Sequence, residues 1–114
     1  GGGGLERLAL EANGIGAEGT KALAEALQSN HELQLLELGD NDVGLEGASH
    51  LAAALKKNRG LRELGLARTG LGAEAAWHLA AGLRSADAGG AGRLEALALG
   101  GNSLGEEGAK ALAE

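Results

Sequence analysis

Gly14, Gly16 and Gly19 stand in the spacing G-x-G-x-x-G within N-G-I-G-A-E-G, between the apolar run Leu8-Ala9-Leu10 and the helix-forming stretch Lys21 to Leu27. A loop of that spacing, leaving a strand and opening a helix, lets backbone N–H groups approach a pyrophosphate. The other chemistry-bearing types are scattered. His31, His50 and His78 have no cysteine beside them and no carboxylate at a ligand spacing, so they read as flank residues and no metal is expected. Ser29, Ser49, Ser85 and Ser103 fall at helix ends, in a helix or in turns, and none has the strand-turn-helix context of a nucleophile. Carboxylates are many, but nothing positions a particular pair in a cleft. No catalytic residue and no cofactor is expected.

Internal repetition decides the glycine question. Leu5, Leu33 and Leu61 lie 28 residues apart, and Leu94 follows after 33. From each, the chain reads L-x-x-L-x-L-x-x-N-x-L/I/V-G-x-x-G-x-x-x-L-A-x-x-L. The slot of Gly14 holds Asp42, Gly70 and Ser103 elsewhere, and that of Gly19 holds Gly47, Ala75 and Gly108. Only the slot of Gly16 is glycine in every unit, as Gly44, Gly72 and Gly105. A phosphate loop is a single site and is not restated in each unit. The repeated glycine reads instead as a backbone need, where the chain turns from strand to helix and φ > 0 or close approach is required. Gly19 and its equivalents should let the helix start press on the strand layer.

Each unit therefore predicts a short strand at L-x-L, a turn, and a helix from about Ala17 to about Gln28 and its equivalents. One unit cannot bury its own apolar face, whereas stacked units share a leucine core. The fold class expected is α/β, a solenoid with parallel strands on the inner curve and helices on the outer one. The units run 5–32, 33–60, 61–93 and 94–114, after a glycine tail or linker at 1–4. The leucine edges of the end units suggest a segment of a longer array, with possible end-to-end self-association of the piece alone.

This pattern at a 28-residue period resembles the ribonuclease-inhibitor class of leucine-rich repeats, as found in NOD-like receptors and Ran GTPase-activating proteins. The resemblance covers residues 5 to 114. It implies a protein-interaction scaffold that is not an enzyme. Two further roles stand beside it: a GTPase-activating regulator, and spacer or autoinhibitory repeats of a receptor. Asn13, Asn41 and Asn102 match the family's ladder position, where the side-chain amide satisfies backbone groups in the turn between units. Thr69 departs from it and should give a weaker rung.

Strand alternation selects the outward residues. With Leu8 and Leu10 pointing in, the inner curve carries Arg7, Ala9 and Glu11, then Leu35, Glu37 and Gly39, then Glu63, Gly65 and Ala67, then Ala96, Ala98 and Gly100. One step beyond lie Ala12, Asp40, Arg68 and Gly101. The candidate protein-binding residues are Arg7, Glu11, Leu35, Glu37, Asp40, Glu63 and Arg68. Glu11, Glu37, Asp40 and Glu63 form an acidic stretch suited to a basic protein partner.

Composition narrows the partner further. The net charge is -6 and Trp77 is the only aromatic residue, so neither the cationic surface nor the stacking platform of a nucleic-acid binder is there. No cysteine is present, which points to a cytoplasmic setting, and no apolar run approaches membrane-spanning length. Trp77 takes a slot that holds Lys21, Ser49 and Lys110 elsewhere, roughly 200° around the helix from the leucine face, so it should point outward as a candidate protein-binding residue on the convex side, unless the nearby loop covers it. A ten-residue gap follows Leu83 where the earlier units have five, and Gly89, Gly90 and Gly92 mark it as a loop.

Overall fold

The computed structural model describes residues 7–84 and 94–113. Strand and helix alternate through four units: β1 (Arg7–Ala9), α1 (Ala17–Leu27), β2 (Leu35–Glu37), α2 (Gly44–Leu55), β3 (Glu63–Gly65), α3 (Ala73–Arg84), β4 (Ala96–Ala98) and α4 (Gly105–Ala113). The strands form one parallel sheet in chain order. Equivalent slots pair, so Arg7, Leu35, Glu63 and Ala96 form one row and Ala9, Glu37, Gly65 and Ala98 the next. Backbone bonds such as Leu10 N–H to Glu37 O (2.9 Å) and Asp40 N–H to Ala67 O (2.9 Å) carry the ladder past the strands themselves. Each helix packs on its neighbours in sequence, as a stack of units requires. No described helix is long and apolar enough to cross a membrane.

The core is a leucine column filled out with alanine. Leu36, Leu38, Leu51, Leu55, Leu64, Leu66, Leu71 and Leu79 are fully buried, with Val43 beside them. In the first and last units Leu8, Leu10, Leu23, Leu97, Leu99 and Leu112 are only partly buried against that column. The glycine tail and most of the ten-residue gap lie outside the described residues.

Asparagine side chains tie the turns. Asn41 Oδ1 accepts from Asn13 N–H at 3.0 Å and Ile15 N–H at 2.9 Å, while its amide donates back to Leu10 O at 2.8 Å and Leu38 O at 3.0 Å. Asn102 does the same between the third and fourth units, accepting from Thr69 and Leu71 N–H. Thr69 is buried, and its hydroxyl donates to Leu66 O within its own unit at 2.7 Å. The hydroxyl is too short to reach the second unit, as its departure from asparagine implies.

The glycines divide in a way the repeat alone does not show. Gly44 and Gly105 have φ of +64° and +69°, but Gly16 sits at −100°. In the first and third units the left-handed residue lies two positions earlier, at Gly14 (+69°) and Gly70 (+74°). The second and fourth units have Asp42 and Ser103 there, and the turn moves its left-handed residue to the next available glycine. The expected close approach at the Gly19 slot is also redirected. A Cβ on Gly47 would meet Val43 Cγ1 at 2.7 Å and Thr20 Cγ2 at 3.1 Å, and one on Gly108 would meet Ala73 Cα at 3.1 Å. These glycines admit the preceding helix and the turn's own apolar side chain, not the strand layer.

Candidate functional site

The sheet face brings together the residues expected on the inner curve. Arg7, Leu35 and Glu63 share one row of the parallel register, so Arg7 and Glu63 lie two strands, about 10 Å, apart. Around them the face is small-residue backbone at Gly39, Gly65, Ala67, Ala96, Ala98 and Gly100. A shallow depression there is lined by Leu35, Glu37, Glu63, Gly65, Ala96 and Ala98.

Glu37 does not stand out from this face. Its Oε1 accepts a hydrogen bond from Gly39 N–H at 3.0 Å, and its carboxylate occupies the space that a Cβ on Gly65 would take. The missing side chain on β3 is therefore what lets Glu37 of β2 lie flat. Glu11 and Glu63 are exposed and neither joins the ion pairs found among the described residues.

Asp40 and Arg68 occupy equivalent slots, and they bind each other. Arg68 Nε donates to Asp40 Oδ1 at 2.6 Å and Nη2 donates to Oδ2 at 2.9 Å, the two-point geometry that suits guanidinium and carboxylate. That hydrogen bonding, with the guanidinium charge, holds the Asp40 carboxyl below its ordinary range. The same contact raises Arg68, helped by the charge of Glu37. The aliphatic part of Arg68 lies across Gly101, which has no side chain to obstruct it. The pair thus spans the second to fourth units along one edge of the face. Both residues are left-handed, with φ of 59° and 53°, as are Ala12 (54°) and Gly101 (72°) in the same row.

On the opposite edge Arg62 Nη1 donates to Glu95 Oε2 at 2.9 Å, again between equivalent slots. The sequence reading did not single out this pair. Its signal was available in the repeat register, which places Arg62 and Glu95 in line with Gln34. A second buried asparagine was also missed. Asn58 donates to Leu27 O (2.7 Å) and Asn30 O (2.8 Å) and accepts from Gly60 (2.9 Å) and Leu61 (2.7 Å) N–H. Asn30 lies 28 residues before it and caps its own turn by accepting from Glu32 and Leu33 N–H.

Trp77 points away from the core on the helix side, 60 % exposed, as its slot predicts. The adjoining loop against which it could pack lies outside the described residues. His50 is half-buried and His78 exposed, and His31 Nδ1 accepts from Arg59 N–H at 3.0 Å. Among the described residues no three His, Asp or Glu side chains converge as metal ligands.

Comparison with curated proteins gives no match. Among solved structures it is similar to one titled Leiomodin-1 Actin-Binding Site 2, with a TM-score of 0.80 at 18% sequence identity, over 94% of this chain and 61% of that one. At that identity the likeness speaks for the fold. The chain spans less than two thirds of that neighbour's length. The Leucine Rich repeat pattern matches residues 5–24, 29–52 and 94–113, passing over the third unit, where Thr69 and Ala75 replace the usual asparagine and glycine. With more than half of its residues matched and four units in register, this chain belongs to the leucine-rich repeat family.

Proposed function

We propose that the chain is a non-enzymatic scaffold that recognises a protein partner through its sheet face. The observation that carries this is the composition of that face: accessible small residues at Ala67, Ala96, Ala98 and Gly100, edged by the pairs Asp40–Arg68 and Arg62–Glu95. Small residues admit large partner side chains, which usually supply the anchoring contacts. Fixed charges at the rim add orientation more than affinity.

The acidic contribution comes chiefly from Glu11 and Glu63, since Asp40 is neutralised by Arg68 and Glu37 is turned onto Gly39. A basic segment of the partner crossing the face meets these two carboxylates. The leiomodin-1 neighbour is named for an actin-binding site, which supports protein binding as a use of this fold. The finer assignment to the ribonuclease-inhibitor class rests on the 28-residue period and the N-x-L-G-x-x-G turn.

The test is affinity capture from cell extract with the chain as bait, beside a bait carrying Glu11→Lys and Glu63→Lys. Both positions are exposed, so the fold should survive the change. A protein retained by the first bait and lost by the second supports the reading. Equal retention by both removes the sheet face from the account.

A further inference from the structure

Two large apolar side chains are exposed among the described residues, Leu45 and Trp77. Trp77 contributes nothing to the core. Its helix α3 is anchored by Ala75, Ala76, Leu79 and Ala80, all buried. The indole instead lines a shallow groove between α3 and α4, together with Ala73, Glu74, His78, Ala81 and Glu107.

The groove is mostly apolar, but both of its carboxylates bear the same sign and face the same space. Glu74 precedes Trp77 by three positions, on the same ridge of the helix. Glu107 is its equivalent in the first turn of α4. Each has a structural reason at a helix N-terminus, where negative charge complements the helix dipole. The same slot is acidic in α1 and α2 too, as Glu18 and Glu46. What distinguishes the third unit is the tryptophan added beside them, where α1 and α4 place Lys21 and Lys110. Among the described residues no Lys or Arg lines the groove.

We propose that this groove receives an arginine side chain from a protein segment. A guanidinium stacks on an indole face and at the same time offers N–H donors to flanking carboxylates. An apolar segment or a lipid surface would strip water from Glu74 and Glu107 without supplying a hydrogen-bond donor in its place, which is costly. An arginine meets both demands of the groove, the aromatic surface and the two negative charges. This surface lies on the helix side and is independent of recognition through the sheet.

The chain carries its own probe, because Trp77 is its only aromatic residue. Its emission is followed while a capped peptide of alternating Arg and Gly is added, with an alternating Glu and Gly peptide as control. The Arg peptide is expected to change the emission saturably and the Glu peptide to leave it unchanged. Glu74→Gln with Glu107→Gln should weaken the apparent affinity about fivefold or more. Glu18→Gln with Glu25→Gln on α1 makes the same change in net charge away from the groove and should preserve it. The proposal is overturned if the Arg peptide has no effect, or if both double variants respond alike. It is equally overturned if emission shifts with protein concentration as dimers form, since a second copy would then be the occupant.

Discussion

Arg68 clasps Asp40 from the next unit, 28 residues away, through Nε–Oδ1 and Nη2–Oδ2 bonds of 2.6 and 2.9 Å. Two residues expected to serve as separate contacts for a partner are thereby joined into one fixed element of the sheet edge. The first consequence is in titration. The Asp40 carboxyl loses its proton below its ordinary value of about 3.9. Because the folded value is the lowered one, the pair's stabilising contribution is present above that ordinary value and fades as pH falls through the folded value. Carbon-detected NMR titration should show Asp40 titrating low, and Arg68→Gln should return it to the ordinary range. Both side chains are exposed, so added salt should shrink the difference.

One substitution should have opposite effects in two units. Gly16 precedes α1 with φ of −100° and open space around a Cβ, whereas Gly44 has φ of +64°. Gly16→Ser supplies a helix-capping hydroxyl and should stabilise the chain by about 0.5 kcal/mol. Gly44→Ser forces a side chain into left-handed backbone and should cost about 1 kcal/mol. Urea unfolding monitored by circular dichroism separates the two signs.

Ala12 is the position where sequence and backbone agree least. Its φ is 54°, a conformation that Gly101 adopts without strain in the fourth unit. Ala12→Gly removes the left-handed penalty and loses part of that gain to the entropy of the unfolded chain, leaving about 0.5 kcal/mol of stabilisation. Ala9→Gly, in the β1 strand, should destabilise instead. Paired urea melts of the two variants check this.

Buried asparagines set the third contrast. Asn58→Ala leaves Leu27 O, Asn30 O and the N–H groups of Gly60 and Leu61 without their partner, and should cost about 3 kcal/mol. Thr69→Asn should act in the other direction. An amide there matches Asn41, which reaches the preceding unit as the Thr69 hydroxyl does not, and should add about 1 kcal/mol. The midpoint of urea unfolding should fall for the first variant and rise for the second.

The period of the leucines made the sheet order, the register and the inward rows legible, because those features repeat with the sequence. The turn conformations were not legible in the same way. Gly16 looks obligatory when aligned with Gly44, yet the first unit has Gly14 available and uses it, so backbone freedom is shared between two slots. The left-handed row through Ala12, Asp40 and Arg68 has only Gly101 to announce it. On the sheet face, alternation correctly put Glu37 outward. Its folding onto Gly39 N–H depends on the absent Cβ of Gly65 in the next strand, a cross-unit effect that no single repeat contains. Asn58 was readable in principle, since Asn30 sits in the equivalent slot.

The central claim is that a protein partner docks on the sheet face. The most direct measurement places a photoreactive benzophenone side chain at Ala98, on the sheet, or at Ala22, on the outer side of α1, and identifies what cross-links in cell extract. Both positions are exposed and α1 is remote from the Trp77 groove. The account predicts a discrete protein adduct from Ala98 that weakens with Glu63→Lys, and none of the same mass from Ala22. The same adduct from both positions, or from Ala22 alone, would contradict it.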